Sequence, residues 1–570
     1  MKKTSRILAI VLALVMVLSI GVYAAWNQYQ SNDNHNGRIT DAVPPISPSP
    51  AITNPTLNFS GGGWSGVDTT PVMETVGSTT YAYVTYNGRS KGTQLSKINC
   101  NDGTTVWSKQ ISSTTGGNQL STPYLDSTNG VIYVAATDYY WFLQNNEFTS
   151  NSDWTLSTNA FITVGISDET SYVTIPSGDY ISQSFNNTTS GTISTQLTSG
   201  LKLATNGTSA TVTYTIKRPD NSTDNLKTIT VTSANDWVPV EEIHTDKVNA
   251  TGNYTVTVSV SGADVIIDYV SFCHQTAGIK AYNRDKTVYR SNVAVATYGG
   301  QINTPLYVYG NYLYFGTYNG SKYYYQVDLT NTNTSTNTKA YQGDNHFYWA
   351  GAYSDGNYVY FGGDGGKFYK SSVTSFGTSV TKTNLSSTAT NPGNVRSSVC
   401  YYDGYLFFTS QGGYLWRYKI SDGTIAYAYI GSSTTKGCST STPVISSSGY
   451  VYIGSYGTNY KGIFKINYDF TSGSSMTQLT ESSPNTITTL PVQASVIIYT
   501  NSGTDYIFFT TNVTGGRGYC YSCSSNGYTA SPVWDTGSGN FALQGMAAWN
   551  GYLTFGNDAN TFYVIHTTVS

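Results

Sequence analysis

The chain has 570 residues and a formal net charge of −3, and charged residues make up only 11% of it. This share is well under the usual quarter. The sequence also lacks a basic patch of the kind that binds nucleic acid, so we expect no nucleic-acid partner. Ser, Thr, Asn, Gly and 50 Tyr replace the charged residues, a composition that suits strands, turns and aromatic surfaces.

Residues 1–24 have the pattern of a secretion signal. An apolar run from Ile7 to Val22 follows a basic start, and Val22-Tyr23-Ala24 suits cleavage before Ala25. The run is short for a membrane span, and no second run of spanning length follows. We therefore predict a secreted, extracellular protein, either free or associated with the cell surface. Membrane attachment is expected only if the signal stays uncleaved.

Residues 25–54 are predicted to form an N-terminal lead-in and a proline-rich linker. The stretch from Asp41 to Pro50 contains four prolines, which keep a chain stiff and extended. We interpret this stretch as a spacer rather than as a recognition peptide. The first regular strand is expected just after it.

A short phrase rich in glycine and tyrosine recurs along most of the chain. It reads Gly-Asn-Tyr-Leu-Tyr-Phe-Gly at Gly310–Gly316 and Gly-Asn-Tyr-Val-Tyr-Phe-Gly at Gly356–Gly362, and degraded copies occur on both sides. Self-similarity at a period of about 45–50 residues is typical of a propeller whose blades are four-stranded sheets.

The glycine that opens each copy allows the blades to be counted. These glycines are Gly77, Gly130, Gly310, Gly356, Gly404, Gly449, Gly503 and Gly551. Neighbours are 45 to 54 residues apart, except that 180 residues separate Gly130 from Gly310. We therefore predict an all-β chain: an eight-bladed propeller at 55–141 and 275–570, with a β-sandwich inserted in blade two at 142–274. Because the last blade lacks an obvious outer strand, we expect Pro55–Ser60 to supply it and to close the ring without a free edge.

The blade ends also carry a recurring pattern. Leu95–Trp107 contains Asn-Asp-Gly-Thr-Thr-Val-Trp, and Asp422–Tyr427 keeps its spacing with Tyr in place of Trp. In these residues, and in the start Trp26–Gly37, the chain resembles the pyrroloquinoline-quinone-like (quinoprotein-like) propellers over residues 26–140 and 276–570. The resemblance implies the fold, and fold alone does not carry an activity.

A quinone-binding member of that family would be expected to have adjacent cysteines over the quinone, a Trp floor and ligands for calcium. This chain has no Cys-Cys pair and no Cys-x-x-Cys-His for haem attachment, so we expect no pyrroloquinoline quinone (PQQ). Cys520 and Cys523 lie on a predicted strand, where residues three apart face opposite sides. We interpret them as buried thiols or as a local disulfide, and Cys400 and Cys438 as able to bridge neighbouring blades.

The insertion shows short alternating strands separated by turn residues, as in a β-sandwich. The predicted strands are Phe161–Val164, Tyr172–Ile175, Tyr180–Phe185, Ala210–Ile216, Lys227–Val231, Tyr254–Val260 and Val265–Phe272. Its opening, Asn145-Asn146-Glu147-Phe148, and its close, Ile266–Phe272, resemble the two ends of jelly-roll carbohydrate-binding modules.

This second resemblance implies a structural calcium ion and a sugar ligand. In such modules an early carboxylate and a late Asp often hold calcium, which points to Asn146, Glu147 and Asp268. The alternative is an ordinary Asp that hydrogen-bonds at a strand end. Aromatic rings bind sugars by stacking, although a tryptophan in a sandwich core is the commoner arrangement. The candidate aromatics are Trp154, Tyr180 and Trp237.

The sequence shows no catalytic constellation. None of its five His residues lies in a His-Glu-x-x-His or Gly-x-Ser-x-Gly setting. The favoured function is therefore an exported, non-catalytic binding or scaffold protein, whose sandwich recognises a polysaccharide or a cell-surface protein. The alternative is an extracellular enzyme, either a quinone-dependent dehydrogenase or a carbohydrate-active enzyme, with the propeller as its active-site platform.

Overall fold

The computed structural model describes residues 25–31, 34–55, 57, 66–67, 69–88, 92–112, 121–164, 171–191, 193–204, 207–295, 300–318, 322–481, 490–537, 545–558 and 561–567. Throughout these ranges the chain is built from strands, with a 3-10 turn at Leu385–Ser387. The predicted signal segment 1–24 lies outside them. Within the described ranges no helix is long and apolar enough to cross a membrane.

Within the described residues the strands form eight four-stranded antiparallel blades, and the prediction of an eight-bladed propeller is confirmed. The strands of each blade are given from the innermost to the outermost. Blade one is Val72–Val76, Thr79–Asn87, Thr93–Asn99 and Thr104–Gln110, and blade two is Tyr124–Asp126, Val131–Trp141, Val265–Asn283 and Val288–Val295. Blade three is Tyr307–Tyr309, Tyr312–Gly316, Tyr323–Asp328 and Thr338–Gln342, and blade four is Tyr353–Ser354, Tyr358–Gly363, Lys367–Ser372 and Val380–Asn384. Blade five is Cys400–Tyr402, Tyr405–Ser410, Tyr414–Lys419 and Ile425–Ile430, and blade six is Val444–Ile445, Tyr450–Ser455, Gly462–Asn467 and Ser474–Gln478. Blade seven is Ile497–Asn501, Thr504–Thr510, Gly518–Ser524 and Thr529–Asp535, and the short strand Thr480–Glu481 pairs with its outermost strand. Blade eight is Ala547–Trp549, Tyr552–Gly556, Phe562–His566 and Ala51–Thr53.

The ring is closed by a strand from the N-terminal part of the chain. Ala51–Thr53 pairs with Phe562–His566, with Ala51 opposite His566. The expected closing segment, Pro55–Ser60, lies mostly outside the described residues, but the outer position of blade eight is already occupied. The prediction was therefore wrong by about four residues. Ala51, Ile52 and Thr53 each have a backbone N–H that can join the ladder, whereas the expected segment begins with a proline, which has none.

The repeated phrase forms strands that are buried on both faces. In blade three, Leu313 and Phe315 pack in a core shared with blade two, whereas Tyr314 packs in a core shared with blade four. A strand buried on both faces has few polar positions, which explains why the phrase is almost wholly apolar and aromatic. Gly310 precedes it with a φ of 58°, a conformation that glycine adopts without strain.

The described residues of the lead-in, 25–31 and 34–41, run along the innermost strands and belong to the ring. Ala25–Trp26 pairs with the innermost strand of blade one. Backbone hydrogen bonds also join Asn27, Asn34 and Ile39 to the innermost strands of blades two, five and seven. These contacts cover edges that would otherwise be open toward the centre. The most buried side chains of the lead-in are Trp26, Gln28, Gln30 and His35.

The proline-rich stretch also lies on the ring. Pro44 and Pro45 are buried, and the Trp534 indole N–H of blade seven donates a 2.6 Å hydrogen bond to the Pro45 carbonyl. The Asp41 carboxylate accepts a hydrogen bond from the backbone N–H of Asn550 in blade eight. The stretch therefore connects the lead-in to the closing strand along the surface of the propeller.

The insertion is a sandwich of two antiparallel five-stranded sheets. The first sheet has the order Phe161–Thr163, Tyr172–Ile175, Val265–Asn283, Ile193–Leu203 and Val238–Val248; the second sheet has the order Thr223–Val231, Ala210–Lys217, Gly252–Ser261, Tyr180–Asn187 and Thr155–Leu156. The two sheets enclose an apolar core. The 19-residue strand Val265–Asn283 belongs to the first sheet at its beginning and to blade two at its end. A continuous strand thus joins the sandwich to the ring.

The six cysteines are free thiols. Cys520 packs in the core between blades seven and eight, and Cys523 packs in the core toward blade six. Their side chains therefore leave opposite faces of one strand, as the period of a strand requires. Cys400 and Cys438 are also unbridged.

Candidate ligand-binding surface

The predicted aromatic residues differ in their exposure. Trp154 is only 7% exposed, its ring lies 5.5 Å from that of Phe148, and its indole N–H donates a 3.0 Å hydrogen bond to the Asn145 carbonyl. A ring held in this way closes the sandwich core and offers no face to a ligand. Trp154 is therefore a core residue, the commoner of the two arrangements for a sandwich tryptophan.

Tyr180 and Trp237 are both exposed, at 44% and 43%, but the structure places them on different sheets. Tyr180 begins a strand of the second sheet, whereas Trp237 directly precedes Val238–Val248 of the first sheet. The outward faces of the two sheets point in opposite directions, so a ligand lying flat on one face cannot touch both rings.

Trp237 ends a row of side chains that crosses the outward face of the first sheet. Phe161 is opposite Thr174, Thr174 is opposite Ile266, and Ile266 is opposite Lys202. Leu201 is opposite Val238, which puts Trp237 beside Lys202. The ends of this aromatic row, Phe161 and Trp237, are 52% and 43% exposed. At the usual strand spacing the row is about 19 Å long.

Polar groups lie between the two aromatic ends. The Lys202 Nζ atom is 4.5 Å from the centre of the Trp237 ring, within the range of a cation–π contact. Partial burial raises the pKa of Asp268 above its ordinary value, and the positive charge of Lys202 partly opposes this shift. The site thus combines a cation, a carboxylate and an aromatic ring on one sheet face.

A β-bulge sets the position of Asp268. The register of Val265–Asn283 shifts opposite Gly200 and Leu201, so Asp268 and Tyr269 share one position of the ladder. Gly200 has no side chain, and a Cβ there would lie 3.1 Å from the Tyr269 ring. The glycine therefore lets Tyr269 lie against the sheet beside Asp268.

The predicted calcium ligands come from two segments that touch through the backbone. The Val270 N–H donates a 2.9 Å hydrogen bond to the Asn146 carbonyl, which holds the opening loop two residues from Asp268. Glu147 is exposed. Within the described part of the chain, no group of three or more His, Cys, Asp or Glu side chains is arranged to hold a metal ion. A calcium ion here would therefore rely on backbone and amide oxygens in addition to the carboxylates.

The outward face of the second sheet differs in chemistry. Its neighbouring strands present hydroxyl side chains, and Tyr180 is opposite Ser259, which is opposite Thr213. Ser184 and Thr255 are hydrogen-bonded to each other across two strands, at 2.8 Å. This face has a single aromatic ring at its edge among the described side chains, whereas the aromatic row has one at each end.

Sequence patterns identified Trp237 and Asp268 but missed Phe161 and Lys202. Phe161 was recognised only as the first residue of a predicted strand, and no motif marks Lys202. The strand register brings Phe161 and Lys202 into the aromatic row, because it pairs residues that are far apart in the chain. The alternation of Phe161 with Ile162, which is partly buried and packs against the sandwich core, was the one available signal.

No protein-family model and no curated protein matches the chain. Among solved structures, BamB from Moraxella catarrhalis is similar over 50% of this chain and 78% of its own, with 13% identity and a TM-score of 0.37. A europium-containing methanol dehydrogenase is similar over 44% and 60%, with 10% identity and a TM-score of 0.32. The CBM22-1 xylan-binding domain from Paenibacillus barcinonensis Xyn10C is similar over 24% of this chain and 92% of its own, with 10% identity and a TM-score of 0.18. At these scores the similarities carry no argument about function, and the architecture rests on the sheet topology.

Proposed function

We propose that the protein is an exported, non-catalytic binding protein in which the sandwich recognises a polysaccharide and the propeller is its scaffold. The aromatic row carries the proposal, because it places exposed rings at both ends of a row of side chains across one sheet face. Sugar rings stack on aromatic side chains, and Lys202 supplies a hydrogen-bonding group between the stacking positions. An exposed row of this kind is a typical interaction surface.

The connection between the two parts supports a scaffold role for the propeller. The strand Val265–Asn283 pairs with Val131–Trp141 from Cys273 onward, in an unbroken register. A sandwich joined through a shared strand keeps its orientation relative to the ring better than one joined through a flexible linker. The ring would therefore present the aromatic row in a defined direction.

The proposal is tested in the full-length protein with soluble polysaccharides. Xylan, β-1,4-galactan and hydroxyethylcellulose are suitable probes, with binding measured by affinity electrophoresis and calorimetry. We expect Trp237→Ala and Phe161→Ala each to weaken binding about tenfold or more, the effect of removing an aromatic ring that anchors a contact.

Tyr180→Ala is the matched control, because it removes an equally exposed ring from the opposite sheet. We expect it to leave binding unchanged. If Tyr180→Ala weakens binding and Trp237→Ala does not, the ligand lies on the second sheet. If the wild-type protein binds none of the polysaccharides, the sandwich is not a polysaccharide-recognition module of this kind.

We further infer that the propeller binds no PQQ. The inference is supported by the sequence, which lacks the adjacent cysteines expected over the quinone. Incubation with PQQ and calcium should then give no dye-linked oxidation of common alcohols and no quinone absorbance after gel filtration. Turnover under these conditions would favour the dehydrogenase alternative.

A further inference from the structure

A groove opens on the propeller where blades three, four and five meet the lead-in. Its volume is about 830 Å³, and its lining includes Tyr309, Tyr353, Tyr401, Tyr405 and Asp403. This volume is within the range of about 300–1,000 Å³ that is usual for small-molecule sites. The groove is separate in the chain from every residue of the aromatic row.

The groove lies on the face of the ring opposite to the point where the sandwich leaves it. Its lining residues Asp403 and Gly404 form the turn between the first and second strands of blade five, and Ile420 and Ser421 follow the third strand. The sandwich leaves blade two between its second and third strands. In an antiparallel sheet, turns after the first and third strands lie at one end and turns after the second strand lie at the other.

Two tyrosines from different blades form an aromatic wall in this groove. The rings of Tyr353 and Tyr401 are parallel, with an interplanar angle of 1° and centres 5.3 Å apart. Tyr353 is 5% exposed, whereas Tyr401 is half-buried. Tyr353 thus supports Tyr401, and Tyr401 presents its ring to the groove.

Several hydrogen-bonding groups of the groove are unused by the described residues. No hydrogen bond to any described residue engages the hydroxyl groups that line the groove on Tyr309, Tyr353, Tyr401 and Tyr405. Asp403 accepts one hydrogen bond, from the Tyr468 hydroxyl at 3.1 Å, and it engages only Oδ2. The second oxygen of Asp403 and the four hydroxyls are therefore available to a ligand.

The charges of the groove disfavour an anionic ligand. Asp355 is already engaged by the backbone N–H groups of Asn357 and Tyr358, at 2.9 and 2.7 Å, and by the Tyr360 hydroxyl at 3.0 Å. The Lys419 ammonium, which also lines the groove, is paired with the Asp422 carboxylate at 2.9 Å. An anionic ligand would meet the Asp403 carboxylate, whereas a neutral polyhydroxylated ligand meets donors, acceptors and ring faces.

We propose that this groove is a second glycan-binding site, which takes a short neutral oligosaccharide. A sugar ring stacks on Tyr401, and its hydroxyl groups bond to Asp403 and to the tyrosine hydroxyls. The site goes beyond the proposed function of the sandwich and does not depend on it. With sites on opposite faces of the ring, one molecule can bind two glycan chains at once, which raises the effective affinity for a polysaccharide network.

The test uses the full-length protein and four trisaccharides: xylotriose, cellotriose, maltotriose and β-1,4-galactotriose. Binding is measured by saturation-transfer NMR and calorimetry in a Phe161→Ala/Trp237→Ala background, which removes both rings of the aromatic row. We expect at least one trisaccharide to bind at millimolar concentration. Tyr401→Ala should weaken this binding about tenfold or more.

Milder variants keep the test informative if Tyr401→Ala does not fold. Tyr401→Phe keeps the stacked ring and removes a hydroxyl. Asp403→Asn keeps an acceptor for Tyr468 and tolerates the φ of 49° at this turn. Each should weaken binding several-fold, as expected for a lost hydrogen bond.

Tyr289→Ala is the matched control, because it removes a 52% exposed tyrosine from the outermost strand of blade two. It should leave trisaccharide binding unchanged. The proposal is overturned if no trisaccharide binds, or if the folded groove variants bind as tightly as the control. Either result leaves the polysaccharide test of the aromatic row unaffected, because that test uses Trp237 and Phe161.

Discussion

The propeller and the inserted sandwich place their charged side chains differently. In the propeller, Glu74 is fully buried and paired with Arg284 through two hydrogen bonds of 2.7 Å. Lys465 is also fully buried and donates to the carbonyls of Ser525 and Gly527 at 2.7 and 2.9 Å. Both sets of contacts join one blade to the next.

The sandwich keeps its ion pairs at the surface. Its pairs are Arg218–Asp224, Lys227–Glu242 and Lys247–Asp246, and each includes partly exposed side chains. Among the described side chains of the sandwich, no Asp, Glu, Lys or Arg is fully buried. The core between the two sheets is mainly stabilised by hydrophobic burial, whereas the ring of eight blades also uses buried charged groups as directional contacts between neighbouring blades.

We expect the largest loss of stability from breaking the buried pair of Glu74 and Arg284 in the propeller. Glu74→Ala leaves Arg284 without its carboxylate and the Tyr83 hydroxyl without its acceptor, at 2.8 Å in the wild type. We expect the free energy of unfolding to fall by about 3–5 kcal/mol, measured by urea denaturation of the propeller transition. Lys382→Ala is the control, because its pair with Asp344 is exposed and an exposed pair contributes little to stability. Equal losses of unfolding free energy in Glu74→Ala and Lys382→Ala would show that the buried pair contributes no more than the exposed one.

Acid should destabilise the propeller through its lead-in. Burial lowers the pKa of His35 from 6.5 to about 3, between the rings of Tyr29 and Tyr307. The imidazole of His35 therefore binds a proton more readily in the unfolded chain than in the folded one. The stability that neutral His35 contributes is complete above about pH 6.5, and it is lost progressively as the pH falls toward 3. The loss should be on the order of a few kcal/mol.

His35→Asn is the variant that isolates this effect, because asparagine tolerates the φ of 48° at this position. Its unfolding free energy should depend less on pH between 6.5 and 4 than that of the wild type. Identical pH profiles, measured by chemical denaturation, would show that His35 is accessible to protons in the folded state.

Calcium should act on the sandwich and leave the propeller unchanged. We propose that Asn146, Glu147 and Asp268 contribute to a structural site, and a ligand at a hundred times its Kd stabilises a fold by about 2.7 kcal/mol. The melting temperature of the sandwich transition should then be higher in calcium than in chelator. Glu147→Ala or Asp268→Ala should remove this difference. Identical melting of the wild type in calcium and in chelator would rule the site out.

Removing the sandwich should have the smallest effect on the propeller. Replacing residues 142–274 with a short Gly/Ser bridge keeps the pairing of Ala136 with Gly278 and of Val131 with Asn283, so blade two retains its four strands. We expect a soluble β-rich protein by circular dichroism, with an unchanged propeller transition and no polysaccharide binding at the aromatic row. An insoluble product would show that the sandwich is needed to fold the ring.

The sequence alone determined the number of blades and the place of the insertion. Each central strand is buried on both faces, so the same apolar phrase is needed in every blade, and repetition makes it visible. The opposite faces of Cys520 and Cys523 follow from the period of a strand in the same way. These features depend on neighbours in the chain or on the repeat itself.

The tertiary structure decided the features that depend on distant residues. The pairing of Ala51–Thr53 with Phe562–His566 and the path of the lead-in along the inner strands leave no local pattern. Trp154 and Trp237 look alike in sequence, but one closes a core and the other is exposed. The two candidate surfaces form where strand register and blade order bring distant side chains together, and such long-range pairing is set by the whole fold rather than by local periodicity.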